Sequence, residues 1–304
     1  MNIPKVEDIK IASKILSAIL NDTPLIYSYA FSGLFSGNIH IKLESFQKTG
    51  SFKIRGLYYK LSKLTKEEKK RGISIAYHKN LAKSISYTSN ILNIPNTIIV
   101  PESLHSDTDT IKYIERHGSK IIFHGITYRD TVEYAKKIAD KNNLIYINPI
   151  NDPDIIAGYG TIGLEILKEE KSLDTIIVPV KYGMLISGIG IAIKEILPQI
   201  DIIGVINEDN HSITENLPPL VRAYIDEIIS VEERDIYKAI KLLLEDTKIL
   251  VEEKGAMPLA ALLSGKIKTQ NKSIGLIATG GNMALNRLSE ILKNTDLKNH
   301  KKGL

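Results

Sequence analysis

The sequence predicts an α/β fold of open, twisted, mostly parallel sheets with helices on both faces, organised as two domains. Short apolar runs of strand length alternate with amphipathic helical stretches, which is the pattern of parallel βα units. The alternation begins near residue 38 and continues to about residue 279. The chain has 304 residues, 43% of them hydrophobic and 25% charged. That length can bury one large or two modest cores, and the composition is that of a folded chain.

Ile9, Ala12, Ile15, Leu16, Ile19 and Leu20 recur at helical spacing, and Asn21-Asp22-Thr23-Pro24 ends that helix. Residues 38–43 alternate as a strand does. The runs 72–76, 97–100, 120–123 and 144–147 read as strands, separated by helical patterns over 82–92, 108–117 and 128–141. The second half repeats this alternation. A helix over 155–168 carries Gly158, Gly160 and Gly163, which thin one face for close packing. Strands are predicted at 175–180, 202–206, 228–231, 248–251 and 274–279, and helices at 188–197, 233–245 and 256–263. The charged end, 294–304, reads as frayed. No solenoid-period repeat or low-complexity linker interrupts the pattern.

The net charge of +5 comes from lysines scattered among acids, which reads as a solvated surface. Basic stretches such as 66–71 alternate with glutamate and carry no aromatics, so no nucleic-acid partner is expected. No apolar stretch approaches the roughly 20 residues of a membrane helix. The first eight residues lack a signal-peptide pattern, so the expected location is cytoplasmic. The absence of cysteine rules out a disulfide scaffold, a cysteine nucleophile and a thiolate metal site.

Three glycine-containing turns are candidates for ligand binding: Thr49-Gly50-Ser51 before Lys53, Lys181-Tyr182-Gly183, and Thr279-Gly280-Gly281-Asn282. In a parallel sheet, ligands collect at the carboxyl ends of strands, where helix N-termini offer unpaired N–H groups. Each turn taken alone is also ordinary turn chemistry. Ser187-Gly188-Ile189-Gly190 lacks the third glycine of a nicotinamide fingerprint. The seven histidines show no metal-ligand pairing, so no metal ligands are assigned, and no nucleophile elbow occurs. Lys53 opens a helix that Ser51 or Thr49 can cap.

Residues 42–56, Lys-Leu-Glu-Ser-Phe-Gln-Lys-Thr-Gly-Ser-Phe-Lys-Ile-Arg-Gly, add a reaction to this reading. They resemble the cofactor-lysine segment of the threonine and serine dehydratases, and also that of the serine racemases. The resemblance continues through Asn148-Pro149 and residues 157–166, and through 262–266 and 279–282. It implies the fold-type II architecture of pyridoxal-phosphate enzymes related to the tryptophan synthase β chain. The large domain would comprise 1–51 and 147–304, and a small inserted domain 52–146. It also implies pyridoxal 5'-phosphate as cofactor, Lys53 as the Schiff-base lysine, and an ammonia-lyase reaction that converts threonine or serine to a 2-oxo acid. By the same resemblance Phe52 packs on the cofactor, Asn80 contacts the ring 3-oxygen and Thr279 faces the pyridine nitrogen. A homo-oligomer is implied as well.

Three segments depart from the family. Its glycine tetrad around the phosphate reads Lys181-Tyr182-Gly183-Met184 here, keeping Gly183, with Lys181 as a compensating charge. Its Ser-x-Gly-Asn-His loop for the substrate carboxylate reads Tyr77-His78-Lys79-Asn80-Leu81. The connection between Glu208 and Ile228 is shorter by roughly 25 residues than loop expectations for the family. These departures define the alternative reading. In it the chain is a catalytically degenerate paralogue, a binding subunit paired with an active homologue, with an anionic metabolite held by Lys79, Lys83, His78 and Lys181.

Overall fold

A computed structural model describes residues 3–105, 108–210 and 222–299. Its strands are β1 (Leu25–Tyr27), β2 (Asn38–Leu43), β3 (Ile73–Ala76), β4 (Asn96–Val100), β5 (Lys120–Phe123) and β6 (Ile145–Tyr146), followed by β7 (Thr175–Pro179), β8 (Asp201–Asn207), β9 (Glu227–Val231) and β10 (Ser273–Ala278). The helices of the first half are α1 (Val6–Leu16), α2 (Tyr29–Phe35), α3 (Lys53–Ser62), α4 (Lys66–Arg71), α5 (Lys79–Ile91), α6 (Thr108–Arg116) and α7 (Tyr128–Lys141). Those of the second half are α8 (Pro153–Glu169), α9 (Met184–Lys194), α10 (Glu233–Thr247), α11 (Glu253–Leu263) and α12 (Leu285–Asn299).

The strands form two sheets. One has six strands in the order β1-β2-β10-β7-β8-β9, and the other four in the order β5-β4-β3-β6. Every pairing is parallel except β1 with β2. In the larger sheet Leu276 lies between Ile41 and Ile177; in the smaller, Ile98 lies between Ile75 and Ile121. Strands β7 and β10 are buried along their whole length, which is why they read as continuous apolar runs. The expected fold class, mostly parallel sheets with helices on both faces, is the one observed. No helix among the described residues is long and apolar enough to cross a membrane.

Local chemistry sets the helix boundaries. Asp152 caps α8 by accepting from the amides of Asp154 and Ile155, and Pro153 occupies its first turn. Thr127 and Asp130 form a reciprocal capping box at α7, as Thr65 and Glu68 do at α4. Helix α1 ends at Leu16, before the predicted Ile19 and Leu20. One predicted strand is absent. Lys248, at φ +62°, stops α10 in the left-handed region, and residues 249–251 continue as irregular chain. Ile249 and Val251 are still buried, so their apolar character reported burial and not strand pairing. At the C-terminus α12 continues to Asn299, where a frayed end was expected. Residues 211–221 of the shortened connection lie outside the described residues.

Helices α3, α8 and α9 cross closely because glycines meet at the crossings. A Cβ on Gly158 would stand 2.6 Å from the Cα of Gly56 and 2.7 Å from the carbonyl oxygen of Arg55. One on Gly188 would stand 2.5 Å from the carbonyl oxygen of Ile156. Backbone atoms cannot move aside as a flexible side chain can. Gly158→Ala is therefore expected to lower stability by about 1–3 kcal/mol, read from the denaturant midpoint. An unchanged midpoint would contradict this packing.

Candidate active site

A cavity of about 410 Å³ opens where the carboxyl ends of β2, β3, β7 and β10 converge. This is the position at which open α/β sheets bind ligands. The segment after β2 brings Ser51, Phe52 and Lys53; that after β3 brings His78, Lys79 and Asn80. Residues 180–183 follow β7 and Thr279 follows β10. The six residues expected at the cofactor site, Lys53, Phe52, Asn80, Gly183, Thr279 and Lys181, line this one cavity.

The loop that carries Lys53 is tied to the end of β10. Ser51 bridges to Gly280, and the amide of Phe52 donates to the carbonyl of Thr279 at 3.1 Å. The predicted caps are only partly realised. The Thr49 hydroxyl pairs with Ser84 at 2.9 Å, and Ser51 Oγ lies 3.5 Å from the amide of Lys53. Beneath the loop, the buried Arg55 guanidinium donates to both carboxyl oxygens of Glu44, at 2.8 and 2.7 Å, and to both of Glu165. Burial works against each charge here. The Glu44 and Glu165 carboxylates nevertheless hold Arg55 well above its ordinary range, and Arg55 and Lys42 hold Glu165 below its own.

Lys53 Nζ lies 4.6 Å from the centroid of the Phe52 ring and 5.7 Å from that of Tyr159, and these two rings meet edge to face at 4.7 Å. Among the described residues no carboxylate or hydrogen-bond acceptor pairs with this amine. Burial, then the like charges of Lys254 and Lys181, push its pKa down to about 7, with Glu252 opposing. The amine is therefore substantially neutral and nucleophilic near neutrality. Selective acylation of Lys53, followed by peptide mass analysis across pH, is expected to rise through a midpoint near 7. A midpoint near 10.5, the ordinary lysine value, would contradict this environment.

Two further groups are strongly perturbed. Burial, then Lys181, Lys53 and Lys254, push His78 down to about 3, so its ring is neutral. Lys181 Nζ donates to His78 Nε2 at 3.2 Å, which puts the ring proton on Nδ1, and that buried atom has no partner. Lys181 is itself pushed down to about 8 by burial and by Lys254. Asn80 is held from two sides: its side-chain amide donates to Glu252 at 2.6 Å, and its Oδ1 accepts from Asn282 at 2.8 Å. Burial raises the Glu252 carboxyl. Gly183 sits at φ +84° as the N-cap of α9, a conformation that favours glycine.

Sequence reasoning missed Glu252 and Lys254, which reach the cavity from the start of α11, and Tyr128 and Tyr159 from α7 and α8. The run Glu252-Glu253-Lys254 reads locally as a solvated helix start, and no local signal separates it from one. Two expected neighbours are not in the cavity wall. Lys83 turns to Asn282 Oδ1 at 3.0 Å, and Tyr77 is buried outside the lining.

The donor set suits an anionic aldehyde cofactor. It offers a neutral amine without a partner, three further lysines in one wall, and a left-handed glycine at the start of a buried helix. Comparisons with known proteins agree. Residues 16–280 match the family model described as pyridoxal-phosphate dependent enzyme. The chain is 34% identical to the L-threonine ammonia-lyase of Thermotoga maritima, over 97% of this chain and 80% of that protein. It is 35% identical to a catabolic L-threonine dehydratase of Staphylococcus aureus, over 94% and 91% of the two chains. The structure of maize serine racemase superposes with a TM-score of 0.88 at 27% identity, covering 99% of this chain and all of that one. The chain therefore belongs to the family of pyridoxal-phosphate dependent enzymes.

Proposed function

We propose that this protein is a pyridoxal 5'-phosphate-dependent ammonia-lyase that converts threonine or serine to a 2-oxo acid. The observation that carries the proposal is the half-buried Lys53 amine. It is unpaired, lowered to about 7, and faces a cation-rich cavity at the ends of four strands. The names of the two sequence relatives support the substrate class.

Bound pyridoxal phosphate supplies the electron sink that lets an amino acid lose its Cα proton. Lys53 would hold its aldehyde, Phe52, Asn80 and Thr279 would hold its ring, and Gly183 and Lys181 would hold its phosphate. Lys53 Nζ, lowered to about 7, would also serve as the neutral base for the Cα proton. Lys79, beside Asn80, offers a cation to the substrate carboxylate. Burial and the like charges of Lys254 and Lys181 disfavour the charged form of Nζ. In the balanced reaction the Cα proton and the β-hydroxyl leave as water. Water returns when nitrogen departs as ammonia, so the net change is loss of ammonia. A homo-oligomer in the cytoplasm belongs to the same proposal. So does the division into a large domain, 1–51 with 147–304, and a small one, 52–146, which holds all four strands of the smaller sheet.

The test is 2-oxo acid release from threonine and from serine by protein saturated with cofactor. Release from at least one is expected. None from either, across the pH range in which Lys53 is neutral, would overturn the proposal.

A further inference from the structure

The cavity contains more positive charge than its own acids neutralise. Lys53, Lys79, Lys181 and Lys254 line it, and none has an ion-pair partner within 4 Å among the described residues. Of the two carboxylates in the same wall, Glu252 is engaged by Asn80 and Glu253 is paired with Arg287 at 3.0 Å. Lys181 and Lys254 reach the cavity from different elements, the turn before α9 and the first turn of α11. The charge of Lys254 helps push Lys181 down. Two ammonium groups lining one cavity repel each other unless an anion sits between them. Close by, His78 presents a buried Nδ1–H that has no acceptor.

From this arrangement we infer that Lys181 and Lys254 form a two-lysine clamp for a phosphate dianion, so that this chain holds a phosphate by side-chain ammonium groups. Rigid backbone N–H groups at a glycine-lined turn would do the same work by geometry, but three of the four residues at 181–184 carry side chains. The inference rests on the proposed cofactor use for the identity of its phosphate ester. The clamp itself would also accept free inorganic phosphate. Lys254 is assigned by neither the sequence reading nor the family resemblance. It is exposed at the mouth, so its replacement leaves the buried core untouched.

Three probes separate the possibilities: inorganic phosphate, pyridoxal 5'-phosphate, and pyridoxal, which lacks the phosphate. Each is titrated by calorimetry into wild type, Lys254→Ala, Lys181→Ala and the charge-keeping Lys254→Arg, with thermal melting to confirm folding. Phosphate affinity is expected to fall about 10- to 100-fold in each alanine variant and to stay close to wild type in Lys254→Arg. The preference for pyridoxal phosphate over pyridoxal should fall by a similar factor. Taking that ratio cancels any change in Lys53 reactivity, which affects both aldehydes alike. Wild-type phosphate affinity and an unchanged ratio in both alanine variants would overturn the clamp, as would failure of wild type to bind phosphate in any form. If phosphate binding depends on the two lysines but no cofactor attaches to Lys53, the clamp stands and the lyase reading fails. If cofactor attaches to Lys53 with an unaltered ratio in the variants, the lyase reading stands and the clamp fails.

Discussion

Lys53→Ala is expected to reduce 2-oxo acid release from threonine or serine by about a thousand-fold or more, because in the proposed mechanism one nitrogen would both hold the cofactor and move the proton. The fold should not suffer. Burial, Lys254 and Lys181 depress the Lys53 pKa from 10.5 to about 7. Between those values the unfolded chain binds more protons than the folded one. The stability contribution of this group is therefore complete above pH 10.5 and is lost as pH falls toward 7. Removing the amine lifts that penalty at neutral pH. The variant should be at least as stable as wild type near pH 7, which separates chemistry from folding in one pair of measurements. Full activity in a well-folded Lys53→Ala protein would sink the proposed mechanism.

Arg55→Ala is expected to have the largest effect on stability, a loss of about 3–5 kcal/mol by denaturant unfolding. The guanidinium makes bidentate contacts with Glu44, which has no exposed surface, and reaches Thr23 at 3.1 Å and Thr161 at 3.2 Å. Its removal leaves a buried carboxylate without a counter-charge, and that costs more than the original pair contributed. Lysine cannot substitute, since an ammonium cannot make the paired, fork-like contacts that the guanidinium makes with both oxygens of each carboxylate. Since Arg55 lies two residues from Lys53, the loss should also loosen the start of α3. A change below about 1 kcal/mol would show that water or a rearranged Lys42 neutralises Glu44.

The sequence revealed the parts of this protein whose signal is local. Apolar runs such as 175–178 and 274–277 are continuous because both faces of the sheet are covered, and the helices between them carry their own caps. The Lys53 segment is long enough to identify by resemblance. What stayed hidden depends on distant contacts. Residues 249–251 are apolar because they are buried, and only the left-handed Lys248 distinguishes them from a strand. Strand β1 has three residues and is defined by its antiparallel pairing with β2. Lys254 reads as one more surface charge until α11 delivers it to the cavity that holds Lys53, about 200 residues earlier in the chain. Thr49, a plausible cap by position, instead spends its hydroxyl on Ser84, across from a different helix. His78 and Lys181 belong to separate sheets' loops, and their 3.2 Å contact cannot be inferred from either segment alone.

The most direct test is borohydride reduction of the protein after incubation with pyridoxal 5'-phosphate, followed by peptide mass analysis beside Lys53→Ala. Reduced cofactor is expected on the peptide containing Lys53, at a yield that rises with pH through about 7, and none in the variant. Cofactor fixed to Lys181 or Lys254, or no fixation at saturating cofactor, would contradict the assignment of Lys53 as the reactive amine.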